Sequence, residues 1–154
     1  MSKLLIFSDT HGETAPCVDI ILSSRGIDGI IHAGDCVRDA EDLEAAFPSI
    51  PIYYVRGNND FFTRAPMSLN LEIGGARVYV THGHMQNVKH ELTLRTLKNE
   101  ARGAALVVFG HTHQPITEYD GEMTILNPGS TLFSRTYAEA EITNGKVKTR
   151  ILTL

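Results

Sequence analysis

Short, uninterrupted apolar runs punctuate the chain, and most end in a polar loop. Leu4-Leu5-Ile6-Phe7 shows no polar alternation, so Lys3–Ser8 is read as a strand buried on both faces. Gly29–His32, Ile52–Val55 and Ala105–Phe109 read the same way. Glu13–Arg25 reads as a helix: Pro16 suits a first turn, Val18, Ile21 and Leu22 share a face, and Gly26 stops it. Asp39–Phe47 is a second helix, closed by Pro48. The resulting β-α-β-α-β order predicts a parallel sheet with right-handed crossovers.

Beyond Leu69 the pattern changes. Leu69–Ile73 and Arg77–Thr81 flank Gly74-Gly75 and predict an antiparallel hairpin. Ile116–Tyr119 with Met123–Leu126 around Asp120-Gly121, and Tyr137–Ile142 with Lys146–Leu154 around Asn144-Gly145, predict two more. Val88–Arg102 places Val88, Leu92, Leu94, Leu97 and Ala101 near helical spacing, with Gly103 as a stop, which predicts a long helix. Parallel and antiparallel strands together fit an α/β fold of two mixed sheets between outer helices.

Composition narrows the class. The 154 residues, 42% hydrophobic and 21% charged, fit one globular domain over residues 1–154 and exclude disorder. A net charge of −4 argues against a nucleic-acid backbone as partner. Two cysteines, Cys17 and Cys36, are too few for a disulfide scaffold. The four-residue run Leu4–Phe7 is too short for a signal sequence or a membrane span. These features predict a cytoplasmic protein that does not enter membranes, and the apolar hairpin edges leave pairing between subunits open.

The histidines change the picture. Of seven, five fall in three short blocks: Asp9-Thr10-His11, His82-Gly83-His84 and His111-Thr112-His113. Gly34-Asp35 and Gly57-Asn58-Asn59-Asp60 add two more polar loops, and each of the five follows a predicted strand. Alone, each block reads equally as turn chemistry. Together they would bring carboxylate oxygens, an amide oxygen and imidazole nitrogens to one sheet edge, where open α/β sheets place ligands. That donor set, without thiolate, suits two divalent cations such as Mn, Fe, Co, Ni or Zn, with Asp35 as the natural bridge.

In this order the blocks resemble those of the calcineurin-like metallophosphoesterases. The Ser8-Asp9-Thr10-His11-Gly12 opening, the short chain and Asn127-Pro128-Gly129-Ser130 look like their small prokaryotic phosphodiesterase branch. The resemblance runs from about Lys3 to the final hairpin. It implies a four-layer αββα sandwich carrying a dinuclear centre. By motif match, Asp9, His11, Asp35 and His113 would hold one metal, and Asp35, Asn58, His82 and His111 the other. It leans to Mn as the cation. It further implies hydrolysis of a small phosphoester, a phosphodiester before a monoester, by a hydroxide bridging the cations.

At the position where many members carry histidine, this chain has Asn59. An amide donates a hydrogen bond but transfers no proton at neutral pH. Asn59 is therefore read as a substrate-binding group, with His84 as the auxiliary catalytic histidine. Arg56, Phe61, Phe62 and Arg64 flank the same block, either holding phosphate and an aryl or base group or anchoring the loop. His32 reads as a packed histidine, His90 as a surface one, Cys36 as a small buried thiol, and Asn127-Pro128-Gly129-Ser130 as a turn supporting the metal loops. The alternative functions are a non-catalytic interaction scaffold like the retromer subunit of this fold, a phosphomonoesterase and a nuclease. The complete ligand set favours an enzyme over the scaffold.

Overall fold

A computed structural model describes residues 1–154. The chain runs β1 (Ser2–Phe7), α1 (Ala15–Ser23), β2 (Gly29–His32), α2 (Val37–Ala46), β3 (Ile52–Tyr54), β4 (Ser68–Ile73), β5 (Ala76–Thr81), α3 (Arg95–Glu100), β6 (Leu106–Val108), β7 (Ile116–Tyr119), β8 (Thr124–Asn127), β9 (Thr136–Thr143) and β10 (Lys146–Thr153). The strands form two five-stranded mixed sheets, ordered β10-β9-β1-β2-β3 and β4-β5-β6-β8-β7. β1, β2 and β3 are parallel in the first sheet, and β5, β6 and β8 in the second.

The uninterrupted apolar runs follow from burial on both faces. Leu4 and Ile6 point between the sheets with Ile31, Val78, Val80, Leu106 and Val108. Leu5 and Phe7 point outward against Cys17, Ile20 and Ile21 of α1 and Leu43 of α2. On the far side, Val107 and Ile125 meet Leu97 of α3 together with Val88, Leu94 and Ala101. Three apolar layers separate four layers of structure, the αββα arrangement. No helix is long and apolar enough to cross a membrane.

The hairpins form at the expected glycines, with Ile73 opposite Ala76 and Thr143 opposite Lys146. Tyr119 pairs with Thr124, so the Asp120-Gly121 turn widens to a four-residue loop in which Asp120 Oδ1 accepts the Glu122 and Met123 N–H groups. The α1 face differs from expectation: Cys17, Ile20 and Ile21 are buried while Leu22 points to solvent. Its boundaries also shrink from Glu13–Arg25, because Pro16 sits at its first turn and the chain turns extended at Ser24.

The long helix over Val88–Arg102 does not form. Only Arg95–Glu100 is α-helical, preceded by a 3₁₀ turn at His84–Gln86. Asn87 and Leu94 adopt left-handed backbone angles (φ 56° and 55°), which no continuous right-handed helix accommodates. Glu91 instead accepts the Thr96 N–H and hydroxyl and starts the short helix locally. Four of the five spaced apolar residues are nevertheless buried, and Leu92 alone is exposed.

Candidate metal centre

The five polar blocks meet where the C-terminal ends of β1, β2 and β3 in one sheet face those of β5 and β6 in the other. The site therefore spans a seam between two sheets, rather than one sheet edge. Hydrogen bonds sew the seam together. His82 Nδ1 meets the Ala33 carbonyl at 2.7 Å, and the His111 N–H donates to Asp9 Oδ2 at 3.0 Å.

Asp9 lies at the hub and is fully buried. Its Oδ2 accepts Ser8 Oγ–H at 2.6 Å as well as the His111 N–H. Its Oδ1 has no hydrogen-bond partner, yet lies 3.2 Å from His113 Nε2, 3.8 Å from His82 Nε2 and 3.9 Å from His11 Nε2. A buried, unpartnered carboxylate oxygen is costly unless a cation or proton meets it. The facing nitrogens point the same way. The Ala33 carbonyl fixes the His82 proton on Nδ1, so Nε2 turns a lone pair toward Asp9 and, at 3.5 Å, toward Asp35 Oδ2. His11 Nε2 and His113 Nε2 stand 3.4 Å apart. Lone pairs converging at these distances fit divalent cations.

Two groups of donors form this way: Asp9 with His11 and His113, and Asp9 with Asp35 and His82. Asn58 Oδ1 joins the second, 3.0 Å from His82 Nε2. Asp9 is the member common to both groups; Asp35 lies in the second. The His111 ring stands 5.1 Å from that of His82, and the His84 ring 5.5 Å, measured between centroids.

Electrostatics follow burial and partners. Burial pushes the Asp9 carboxyl above its ordinary value, against the pull of His82, Ser8 and His113. Burial also opposes charge on Asp35, but His82 and two donors from Asn59 hold it below the usual carboxylate range. Those donors are the Asn59 N–H to Oδ1 at 3.1 Å and Nδ2 to Oδ2 at 2.8 Å. Asn59 thus clamps Asp35. His82 is raised because Asp35 and Asp9 outweigh its burial. Burial and the neighbouring His82 lower His84, and take His111 down to about 4.

The backbone is built for close approach. Asp9, His11, Asp35, His111 and His113 all have positive φ, between 45° and 70°. Non-glycine residues rarely occupy this region, and such outliers gather at functional sites. A Cβ on Gly34 (φ +100°) would lie 2.7 Å from His82 Nδ1, and one on Gly57 would overlap Asp35 Oδ1. Both positions must be glycine for the loops to close on the carboxylate.

Several supporting residues had no assigned role in the sequence. Asp60 is buried and accepts the N–H groups of Asp35, Val37 and Gly57 at 2.7–3.0 Å, pinning the Asp35 loop, the first turn of α2 and the Asn58 loop together. Asp39 accepts the Gly12 N–H at 2.8 Å. A carboxylate ending the Gly57-Asn58-Asn59 turn was the visible signal for Asp60. Phe133 gave none: its ring stacks on His113 (4.8 Å, 13°) and edges His11 (5.5 Å). Ser130 Oγ–H donates to the Asp9 carbonyl, and Asn127 Nδ2 to Gly110 O and Thr112 Oγ1, so that turn does brace the metal loops. Arg56 donates from Nη2 to the Asp60 carbonyl at 3.2 Å, while its Nε has no hydrogen-bond partner. His32 is packed between Thr10 Oγ1 and the Gly34 N–H, and His90 is exposed. Cys36 is half-buried rather than buried, because it caps α2 at the surface.

Known proteins resemble the chain over most of its length. The profile of the Calcineurin-like phosphoesterase superfamily domain matches residues 2–150. The chain is 33% identical over 130 residues to the probable metallophosphoesterase YsnB of Bacillus subtilis, covering 83% of this chain and 74% of that protein. It is 26% identical over 149 residues to a phosphodiesterase of Methanocaldococcus jannaschii, covering 82% of each. Among solved structures, a predicted phosphoesterase of Streptococcus pneumoniae superposes with a TM-score of 0.80 at 28% identity, covering 99% of this chain and 89% of that one. Vps29 of Entamoeba histolytica, in complex with Zn²⁺, superposes with a TM-score of 0.75 at 17% identity over 97% and 98% of the two chains. That likeness concerns the fold alone.

Proposed function

The chain belongs to the calcineurin-like phosphoesterase superfamily, and on that premise we propose that it is a metal-dependent phosphodiesterase acting on a small phosphoester, with two divalent cations at the seam between its sheets. The unpartnered Asp9 Oδ1, ringed by three imidazole nitrogens, carries this reading. The proposal assigns Asp9, His11, Asp35 and His113 to one cation and Asp35, Asn58, His82 and His111 to the other, with Mn as the metal. Cations held there would supply Lewis acidity toward the phosphoryl oxygens and a bridging hydroxide at neutral pH.

The protein's own part is positioning. Asn59 donates to both Asp35 oxygens, which favours the ionised carboxylate and fixes its orientation beside His82. The Ala33 carbonyl fixes the His82 tautomer. His84, half-exposed beside His82 and His111, stays neutral near pH 7 and can donate a ring N–H to a phosphoryl or leaving oxygen. Asn59 is turned onto Asp35, and its own block holds no imidazole to protonate a poor leaving group. This supports diesters with acidic leaving groups over alkyl monoesters. The phosphodiesterase of M. jannaschii among the relatives supports a diester as substrate. The proposal places the enzyme in the cytoplasm, in keeping with its unpaired cysteines.

The test is hydrolysis of bis(p-nitrophenyl) phosphate and p-nitrophenyl phosphate by metal-stripped protein reloaded with Mn, Zn, Fe, Co or Ni. Diester turnover should return with metal and be nearly abolished in Asp35→Asn. Turnover without metal, or undiminished in Asp35→Asn, would overturn the reading. Tight metal binding with no turnover of any ester would favour the interaction scaffold instead.

A further inference from the structure

Beside the centre, a groove of about 940 Å³ runs from Asn59 between the first turn of α2 and the segment that follows Asp60. Cys36, Arg38, Phe61, Phe62 and Arg64 line it. Asn59, which clamps Asp35, is one of its lining residues, so the groove adjoins the proposed metal centre. Its size is that of pockets that hold whole small ligands, roughly 300–1,000 Å³.

The walls are unusual for a surface that binds nothing. Phe61 is 72% exposed and Phe62 fully exposed, and these two adjacent rings make an apolar patch on the groove wall. Phe62 also holds a left-handed backbone (φ 58°), a costly state for a bulky residue, and its ring gains no packing inside the protein in return. Arg38 and Arg64 are exposed, and neither forms an ion pair with any carboxylate. Exposed phenyl rings next to free guanidinium groups are the combination that stacks planar aromatic rings.

We infer that this groove is the specificity site for the second ester group of the phosphodiester, and that it selects a planar aromatic group, a nucleobase or an aryl ring, stacked on Phe61 or Phe62. The inference rests on the phosphodiesterase reading above and adds the substrate class to it. One phosphoryl group lies at the metal centre while the ring occupies the groove past Asn59. Arg38 and Arg64 close over the ring or meet a further anionic substituent.

Three diesters sharing a p-nitrophenyl leaving group isolate the effect: the thymidine 5′-ester, the phenyl ester and the methyl ester. With Mn-loaded protein, kcat/KM for the thymidine or phenyl ester should exceed that for the methyl ester by about tenfold or more. In a Phe61→Ala/Phe62→Ala variant that ratio should collapse toward one, chiefly through KM. The two aromatic esters tell a nucleobase site from a general aryl site. An equal ratio in both proteins overturns the groove assignment while leaving the phosphodiesterase reading intact. If no ester turns over, that reading fails instead, and calorimetry then decides the groove separately. Thymidine 5′-monophosphate should bind the unmodified protein about tenfold more tightly than the double variant, and equal binding rejects the inference. Both rings are exposed, so their truncation leaves the core unchanged.

Discussion

At the scale of single residues, close approach and burial decide what the site tolerates. Gly57 has no positive φ, so adding a methyl there tests sterics alone. Gly57→Ala should displace Asp35 and weaken metal binding by at least tenfold in a calorimetric titration. Gly12→Ala, where φ is +91° but nothing lies within 4 Å, should cost only backbone strain of about 1 kcal/mol and leave the titration unchanged. Burial makes His32 a second test. Its Nδ1 accepts the Gly34 N–H, its Nε2–H meets Thr10 Oγ1, and burial lowers it from 6.5 to about 4. The unfolded chain takes up this proton below pH 6.5 while the folded protein refuses it until about pH 4. Stability should therefore fall on acidification through that window and level off below it. Urea unfolding of metal-free protein at pH 7 and pH 5 should show about 2 kcal/mol more loss than in His32→Gln. Equal losses in both proteins would remove His32 from the account.

Elements meet the site through their ends. Asp60 is not on α2, yet its carboxylate accepts the N–H at the first residue of α2 and two more from neighbouring loops. An amide cannot accept all of these as a charged group does, and its NH₂ would face N–H donors. Asp60→Asn should lower stability by about 2–3 kcal/mol in urea unfolding and weaken metal binding. Asp39→Asn loses one such bond, to Gly12, and should cost less. Equal losses would mean that the two carboxylates act only through burial. The third helix teaches the same lesson about ends. Val88, Leu94, Leu97 and Ala101 were legible as core positions because apolar spacing reports burial. The path between them was not legible, since left-handed turns at Asn87 and Leu94 serve the same burial without a helix.

The whole molecule behaves as two sheets joined at a site. Asp9 and Asp35 come from one sheet, and His82, His111 and His113 from the other. A cation bound across that seam binds only the folded chain, so it should stabilise the fold by about 2.7 kcal/mol at a hundredfold excess over its Kd. For a protein of this size that corresponds to roughly 5–10 °C in Tm. Scanning calorimetry with and without Mn should show this increase in the unmodified protein and little of it in Asp9→Asn. An equal increase in both would place the cation elsewhere.

What the sequence determined by itself was the list of parts. Continuous apolar runs such as Leu4–Phe7 marked strands buried on both faces, and glycine-containing turn dipeptides marked hairpins, because both signals act within a few residues. The order of the polar blocks pointed to a metal centre for a different reason: five loops with the right donors rarely arise together by turn chemistry alone. Only the tertiary structure decided how those donors face each other. It drew the blocks from two sheets, made Asp9 Oδ1 the hub of both donor groups, turned Asn59 onto Asp35, set Asp60 against the Asp35 backbone and stacked Phe133 on His113. These relations join residues as much as 121 positions apart, as in the bond from Ser130 to Asp9. Local pattern carries no information about which distant loops will meet; the packing of the two sheets supplies it.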